Sequence, residues 1–178
     1  MSLCRPGDEI LVSDNVYGPT KEISEDLLKE FKINAIFYDP ENFKDLENKV
    51  TKKTRIIVVE NPGSITFEFQ NLSRIINLAK RKNILTFLDN TWGTPLYLKP
   101  LKIGFDMSFT SATKYFSGHS DAMGGSLAVN KKVFKKIMFF IFNFPSSRKR
   151  RITHSTLKVT YITKTYMHIS YIFCFRYI

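Results

Sequence analysis

Strand-like and helix-like patterns alternate through the first two-thirds of this 178-residue chain, and that alternation restricts its fold more than any other feature. Glu9 to Ser13 is a short apolar run of strand type. Thr20 to Lys32 follows Pro19 and carries Ile23, Leu27, Leu28 and Phe31 at helical spacing, which predicts an amphipathic helix. Ile33 to Tyr38 reads as the next strand, Phe43, Leu46 and Val50 as a short helix, and Arg55 to Glu60 as a buried strand. Asn71 and Ser73 are candidate caps for a helix whose inner face is Leu72, Ile75, Ile76 and Ala79. Ile84 to Asp89 and Met107 to Ala112 are two more strands, with Gly125 to Val129 a candidate for the last. The rhythm predicts an α/β fold with a mostly parallel, doubly wound sheet.

In such sheets ligands bind outside the carboxyl ends of the strands. Tyr17, Glu60-Asn61-Pro62, Asp89 and Thr113-Lys114 all fall just after strand runs, so topology alone brings them to one edge. A carboxylate and a lysine on neighbouring strands can hold pyridoxal phosphate. The amine binds the cofactor's aldehyde, and the carboxylate keeps the pyridine nitrogen protonated. Each residue also has a plainer reading. A lone Lys or Asp near a strand end is usually a solvated charge. Tyr17 could be a turn aromatic covering the core, and Glu60, Asn61 and Pro62 could simply end a strand. Trp92 reads as packing, and His119 as a hydrogen-bonder that fixes its loop.

The bulk numbers restrict the classes further. The chain is long enough for one domain with a real core. Its net charge of +11 is unevenly spread: residues 122–178 hold 11 of the 27 Lys and Arg and none of the 16 Asp and Glu. Residues 1–121 are therefore formally neutral. Cys4 and Cys174 lie at opposite ends and belong to no Cys-x-x-Cys pair, which points to a reducing compartment. The N-terminus lacks the apolar segment of a signal peptide. The longest apolar run, Ile137 to Phe142, is far short of the roughly 18 residues a membrane span requires. A cytoplasmic location without a membrane partner is expected. The Ser147-Arg148-Lys149-Arg150-Arg151 run reads as a solvated charge cluster, so nucleic-acid binding is not expected. His154, His168 and Cys174 lack metal-ligand spacing, and no metal is expected.

Three ordered segments carry a family likeness: Glu60 to Glu68 (Glu-Asn-Pro-Gly-Ser-Ile-Thr-Phe-Glu), Asp89-Asn90-Thr91-Trp92, and Ala112 to Asp121 (Ala-Thr-Lys-Tyr-Phe-Ser-Gly-His-Ser-Asp). With them the chain resembles the Cys/Met-metabolism family of pyridoxal-phosphate enzymes, and within it the cystathionine β-lyase branch. The Pro-Gly-Ser-Ile-Thr element and the Gly-His-Ser-Asp-Ala-Met loop look like that branch. The resemblance implies the central part of the large domain of a fold-type I, aspartate-aminotransferase-like enzyme. It implies that Lys114 carries the cofactor and moves the α-proton, that Asp89 pairs with the pyridine nitrogen, and that Tyr17 stacks on the ring. It also implies that Thr113, and less strongly Ser111, contacts the phosphate. The implied reaction is β-elimination from a cystathionine-like sulfur amino acid in transsulfuration and methionine biosynthesis, by a homo-oligomer.

The likeness runs from about Gly7 to about Lys136. Residues 1–137 are expected to be an incomplete large domain, because the phosphate-cradling turn of full-length members would precede Met1. Residues 138–178 are expected to be a basic, aromatic, poorly ordered tail unrelated to the family, of the composition an A+T-rich gene gives when read out of frame. The sequence leaves two alternatives open. One is another member of the family, of γ-synthase, γ-lyase or methionine γ-lyase type. The other is a non-catalytic remnant whose basic tail binds polyanions.

Overall fold

A computed structural model describes residues 3–121, 123–143, 158–163 and 169–176. Among the described residues, eight strands form one sheet in the order β2-β1-β3-β4-β5-β6-β8-β7. The strands are β1 (Glu9–Ser13), β2 (Asn34–Tyr38), β3 (Thr54–Glu60), β4 (Leu85–Asp89), β5 (Met107–Ser111), β6 (Met123–Asn130), β7 (Lys158–Thr163) and β8 (Ile169–Arg176). The first five pair in parallel, and β6, β8 and β7 continue antiparallel. The expected mostly parallel α/β sheet is present, with a strand at each apolar run the sequence marked.

The inner parallel strands β1, β3 and β4 bury both faces, which is why they read as continuous apolar runs rather than as alternating ones. Along β1, Ile10 and Val12 join one core cluster and Leu11 the other. Along β3, Ile57 and Val59 pack with Leu11, while Ile56 and Val58 pack on the opposite side. α3 (Phe43–Lys49) and α4 (Leu72–Lys82) cover the first face through Leu46, Ile75, Ile76 and Ala79. Asn71 caps α4, its side chain accepting the Arg74 N–H at 3.0 Å, as the sequence suggested. Asn42 does the same for α3 through Asp45 N–H. After the short helices α5 (Thr94–Tyr97) and α6 (Pro100–Ile103), α7 (Lys131–Asn143) lies against β6, where Val133 and Val129 are buried together with Met107.

The helix expected over residues 20–32 differs in its inner face. It runs as α1 (Gly18–Glu22), a π-helical turn (Ile23–Leu27) and α2 (Leu28–Glu30). The π turn adds a residue to the repeat and rotates the stripe. Ser24 is buried there, donating to Thr20 O at 2.7 Å, while Ile23 and Leu27 face outward and Leu28 and Phe31 still reach the core.

The region expected to be a poorly ordered tail holds the end of α7 and strands β7 and β8, paired in register from Thr163↔Ser170 to Lys158↔Phe175. Their residues are rich in β-branched and aromatic types, which favour strands without needing strict alternation. The basic run 147–151, His154 and His168 lie outside the described residues. No helix among the described residues is long and apolar enough to cross a membrane.

A buried polar cluster ties the carboxyl ends of β2, β1 and β3 together. Gln70 is its centre. The Gln70 side chain accepts from Tyr38 Oη at 2.8 Å and donates to Ser13 Oγ at 2.9 Å, and its backbone N–H donates to Asn61 Oδ1 at 2.6 Å. Burial pushes the Tyr38 phenol up, so it remains a donor. Replacing Gln70 removes a partner from two buried hydroxyls and from Glu60 O, leaving Ser13 Oγ its bond to Asn15 Oδ1 and Tyr38 Oη only the long one to Val58 O, at about 1–3 kcal/mol for each group poorly satisfied. Gln70→Ala should therefore destabilise the chain by about 2–4 kcal/mol in urea unfolding. A loss below about 0.5 kcal/mol would show that the cluster is not a structural tie.

Candidate active site

The carboxyl ends of β3, β4 and β5 and the loops after β1, β3 and β5 enclose a cavity of about 840 Å³. Glu60 is the last residue of β3 and lies in register with Asp89, the last of β4. Asp89 in turn pairs with Phe109 on β5. Neighbours in register on parallel strands point to the same side of the sheet, so both carboxylates reach the cavity. Ser111 ends β5, and the turn after it brings in Lys114, the one Lys or Arg among the lining residues.

Neither carboxylate has an ion-pair partner among the described residues. Burial pushes the Asp89 carboxyl above its ordinary range, and hydrogen bonds from Thr91 oppose the shift. Burial pushes Glu60 up to about 7, opposed by the Tyr17 N–H and assisted by the charge of Asp89. Two half-buried carboxylates without a cation among the described residues are costly to keep ionised, so a cationic group placed between them would relieve the cost.

The walls come from loops that hold one another. Thr91 Oγ1 accepts the Ser111 N–H at 2.8 Å, and Asn90 N–H donates to Phe109 O at 2.8 Å, which locks the end of β4 to β5. The Ser64 N–H donates to Asn15 O at 2.8 Å, joining the loop after β3 to the loop that carries Tyr17. Gly63 is required for that approach, because a Cβ there would sit 2.1 Å from Asn15 Nδ2. Tyr17 lines the cavity, and its N–H donates to Glu60 Oε2 at 2.7 Å.

Tyr17, Asp89, Ser111 and Lys114 therefore line one cavity; the topology reading had brought all but Ser111 to one edge. Thr113 does not line it: its hydroxyl accepts the Gly124 N–H at 3.0 Å and donates to Gly124 O at 3.3 Å, holding the turn to β6. Trp92, read from the sequence as packing, is 58% exposed, lines the cavity and meets Phe67 edge-to-face at 6.5 Å. His119 is exposed and makes no hydrogen bond among the described residues. The topology reading also brought Glu60 to this edge, where it follows Val58-Val59 as Asp89 follows Phe87-Leu88, but it read Glu60 as a strand end and missed the bond to the Tyr17 N–H.

Residues 1–152 match the model of the family described as Cys/Met metabolism PLP-dependent enzyme. The chain belongs to the Cys/Met-metabolism family of PLP-dependent enzymes. It is 40% identical over 132 residues to a putative cystathionine beta-lyase of Saccharomyces cerevisiae, a stretch covering 74% of this chain and 39% of that protein. Among solved structures it is similar to a cystathionine gamma-lyase from Lactobacillus plantarum complexed with L-serine. There the TM-score is 0.73 and the identity 33%, over 78% of this chain and 36% of that one. It is also similar to a putative O-acetylhomoserine (thiol)-lyase from Campylobacter jejuni that carries a pyridoxyl-lysine phosphate. That match has a TM-score of 0.68 and 32% identity, covering 71% of this chain and 31% of that one. The chain thus spans about a third of the length of the relatives it matches.

The cofactor of this Cys/Met-metabolism family is pyridoxal phosphate, and the residues present fit it. Asp89 is a half-buried carboxylate without a cation, Lys114 is an amine on the same cavity, and Tyr17 offers an aromatic face.

Proposed function

We propose that the cavity holds pyridoxal phosphate and that the chain's residues serve a carbon–sulfur lyase of cystathionine β-lyase type, acting on a cystathionine-like sulfur amino acid. The observation that supports this most is the uncompensated Asp89 carboxylate facing the same cavity as Lys114. The Pro62-Gly63-Ser64-Ile65-Thr66 element, which marks the β-acting branch in the sequence, supplies part of the cavity wall and so bears on which reaction is run. The reading extends to a homo-oligomeric, cytoplasmic enzyme of transsulfuration and methionine biosynthesis.

Bound there, the cofactor supplies an electron sink for the carbanion left when a substrate α-proton departs. Asp89 holds a proton on the ring nitrogen, and the pairing restores to its carboxylate the charged state that burial disfavours. Tyr17, on the cavity wall, would stack on the ring. Lys114 Nζ would hold the cofactor through its aldehyde and, as a free amine once the substrate amine has taken its place, would accept the α-proton and pass it to the departing sulfur. Ser111 presents a hydroxyl to the phosphate, with Thr113 behind it steadying the turn that bears Lys114. The apolar pair Phe67–Trp92 at the cavity wall suits the thioether portion of the substrate and excludes water from it.

The test uses the full chain with pyridoxal phosphate and L-cystathionine, with the keto-acid product identified. Pyruvate, dependent on added cofactor, is the expected product. 2-Oxobutanoate would place the chain in the γ-acting branch instead, and cofactor binding without either product would identify a non-catalytic remnant.

A further inference from the structure

We propose that Glu60 is a positioning residue that clamps the Tyr17 loop over the cavity while its carboxylate is ionised and releases it on acidification. The proposal rests on the cofactor reading only for its second arm. The geometry is direct. Glu60 ends a central strand whose backbone is held on both sides, by β1 and by β4. Its Oε2 accepts the Tyr17 N–H at 2.7 Å across 43 residues of sequence. The Tyr17 backbone is otherwise joined to the neighbouring helix alone, through Tyr17 O, which accepts from Thr20 N–H at 2.8 Å and Lys21 N–H at 3.2 Å. Earlier in the loop, Asn15 O accepts the Ser64 N–H and Asp14 N–H donates to Tyr38 O, so Glu60 is the tie at Tyr17 itself, between the backbone of the aromatic residue and the end of β3.

The strength of that tie depends on charge, because an ionised acceptor holds an N–H about twice as strongly as a neutral one. The groups around Glu60 decide where ionisation falls. Asp89 on β4 opposes it, as does burial. Lys114 lines the same cavity from the turn after β5, without an ion pair. On the Tyr17 loop and α1, Asp14 and Lys21 pair with each other. Glu68, on the loop after β3, is engaged by Thr66 and Asn15. Described cations thus leave Glu60 unneutralised, and its proton is lost near pH 7 rather than in the ordinary carboxylate range. The sign follows: the folded value is raised, so the protonated form favours the fold below the ordinary range, and that contribution is lost as pH rises through about 7. The clamp strengthens over the interval in which the fold itself pays for the buried charge.

The first arm needs no cofactor. Hydrogen exchange at the Tyr17 amide is measured in the full chain from about pH 5.5 to 8.5, across the interval where Glu60 changes charge, for the unaltered chain, Glu60→Gln and Glu60→Ala. Glu60→Gln keeps an acceptor of the same shape whose strength does not change with pH. Protection in the unaltered chain, relative to Glu60→Gln, should rise several-fold through about pH 7, and Glu60→Ala should lose about tenfold in protection at high pH. A ratio of unaltered chain to Glu60→Gln that stays flat with pH would overturn the proposal. The second arm measures the affinity of pyridoxine 5′-phosphate, which lacks the aldehyde and so reports ring and phosphate contacts without bonding to Lys114. Its affinity for the unaltered chain should rise with pH more steeply than for Glu60→Gln. Equal slopes would contradict the clamp. Absence of binding to the unaltered chain at every pH would instead contradict the cofactor reading, leaving the exchange result to decide on Glu60.

Discussion

In the proposed site, Lys114→Ala should abolish covalent capture of pyridoxal phosphate and reduce any cystathionine turnover by about 10⁴-fold or more, because one amine would both anchor the cofactor and move the proton. The visible absorption band of the bound cofactor should disappear with it. The fold should not suffer: Lys114 is exposed, forms no ion pair among the described residues, and its turn is held by backbone bonds, Lys114 N–H to Ser111 O and Gly118 N–H to Lys114 O. Spectra of cofactor-loaded protein and unfolding curves check the two halves. A variant that kept the band would place the anchoring lysine elsewhere.

Asp89→Asn should weaken cofactor binding while strengthening the empty fold. The binding loss is that of one charge-assisted hydrogen bond, about 1.5–3 kcal/mol, or roughly 10- to 100-fold in affinity. Turnover should fall further, by about 10²- to 10³-fold, because the carboxylate matters most where charge develops. The stability change has the opposite sign. The folded Asp89 carboxyl is raised by burial, so its ionised form at neutral pH opposes folding, and the amide removes that opposition while still accepting the Thr91 N–H. Asn at this position should melt higher than the unaltered chain at pH 8 without cofactor and gain less on adding it. A lower melting temperature for the empty variant would mean that Asp89 is a structural acceptor rather than a residue kept for a ligand.

Much of the fold was legible because β3, β4 and β5 are apolar runs that end in polar residues, and the topology rule then sets those ends side by side. Asp89 and Lys114 could be placed at one edge for that reason, 25 residues apart in sequence. What stayed hidden depended on contacts between distant segments. The link from Glu60 to the Tyr17 N–H crosses 43 residues and the one from Gln70 to Ser13 crosses 57, and no local pattern announces either. Ile23 and Leu27 were assigned to the inner face by ideal helical spacing, which the π turn breaks. Trp92 was assigned to packing by its residue type, yet its ring belongs to the cavity wall. Ser111 and Thr113 alternate along one segment, and only three-dimensional pairing shows that β6 engages the hydroxyl of Thr113 while Ser111 reaches the cavity.

The most direct test of the site is to trap the cofactor where it binds. The full chain is mixed with one equivalent of pyridoxal phosphate at pH 8, reduced with borohydride, digested and mapped by mass spectrometry. The account predicts a pyridoxyl-phosphate adduct concentrated on Lys114, reduced by Asp89→Asn and by competing pyridoxine 5′-phosphate. Label spread evenly over the surface lysines, with Lys114 no more modified than Lys102 or Lys132, would contradict it.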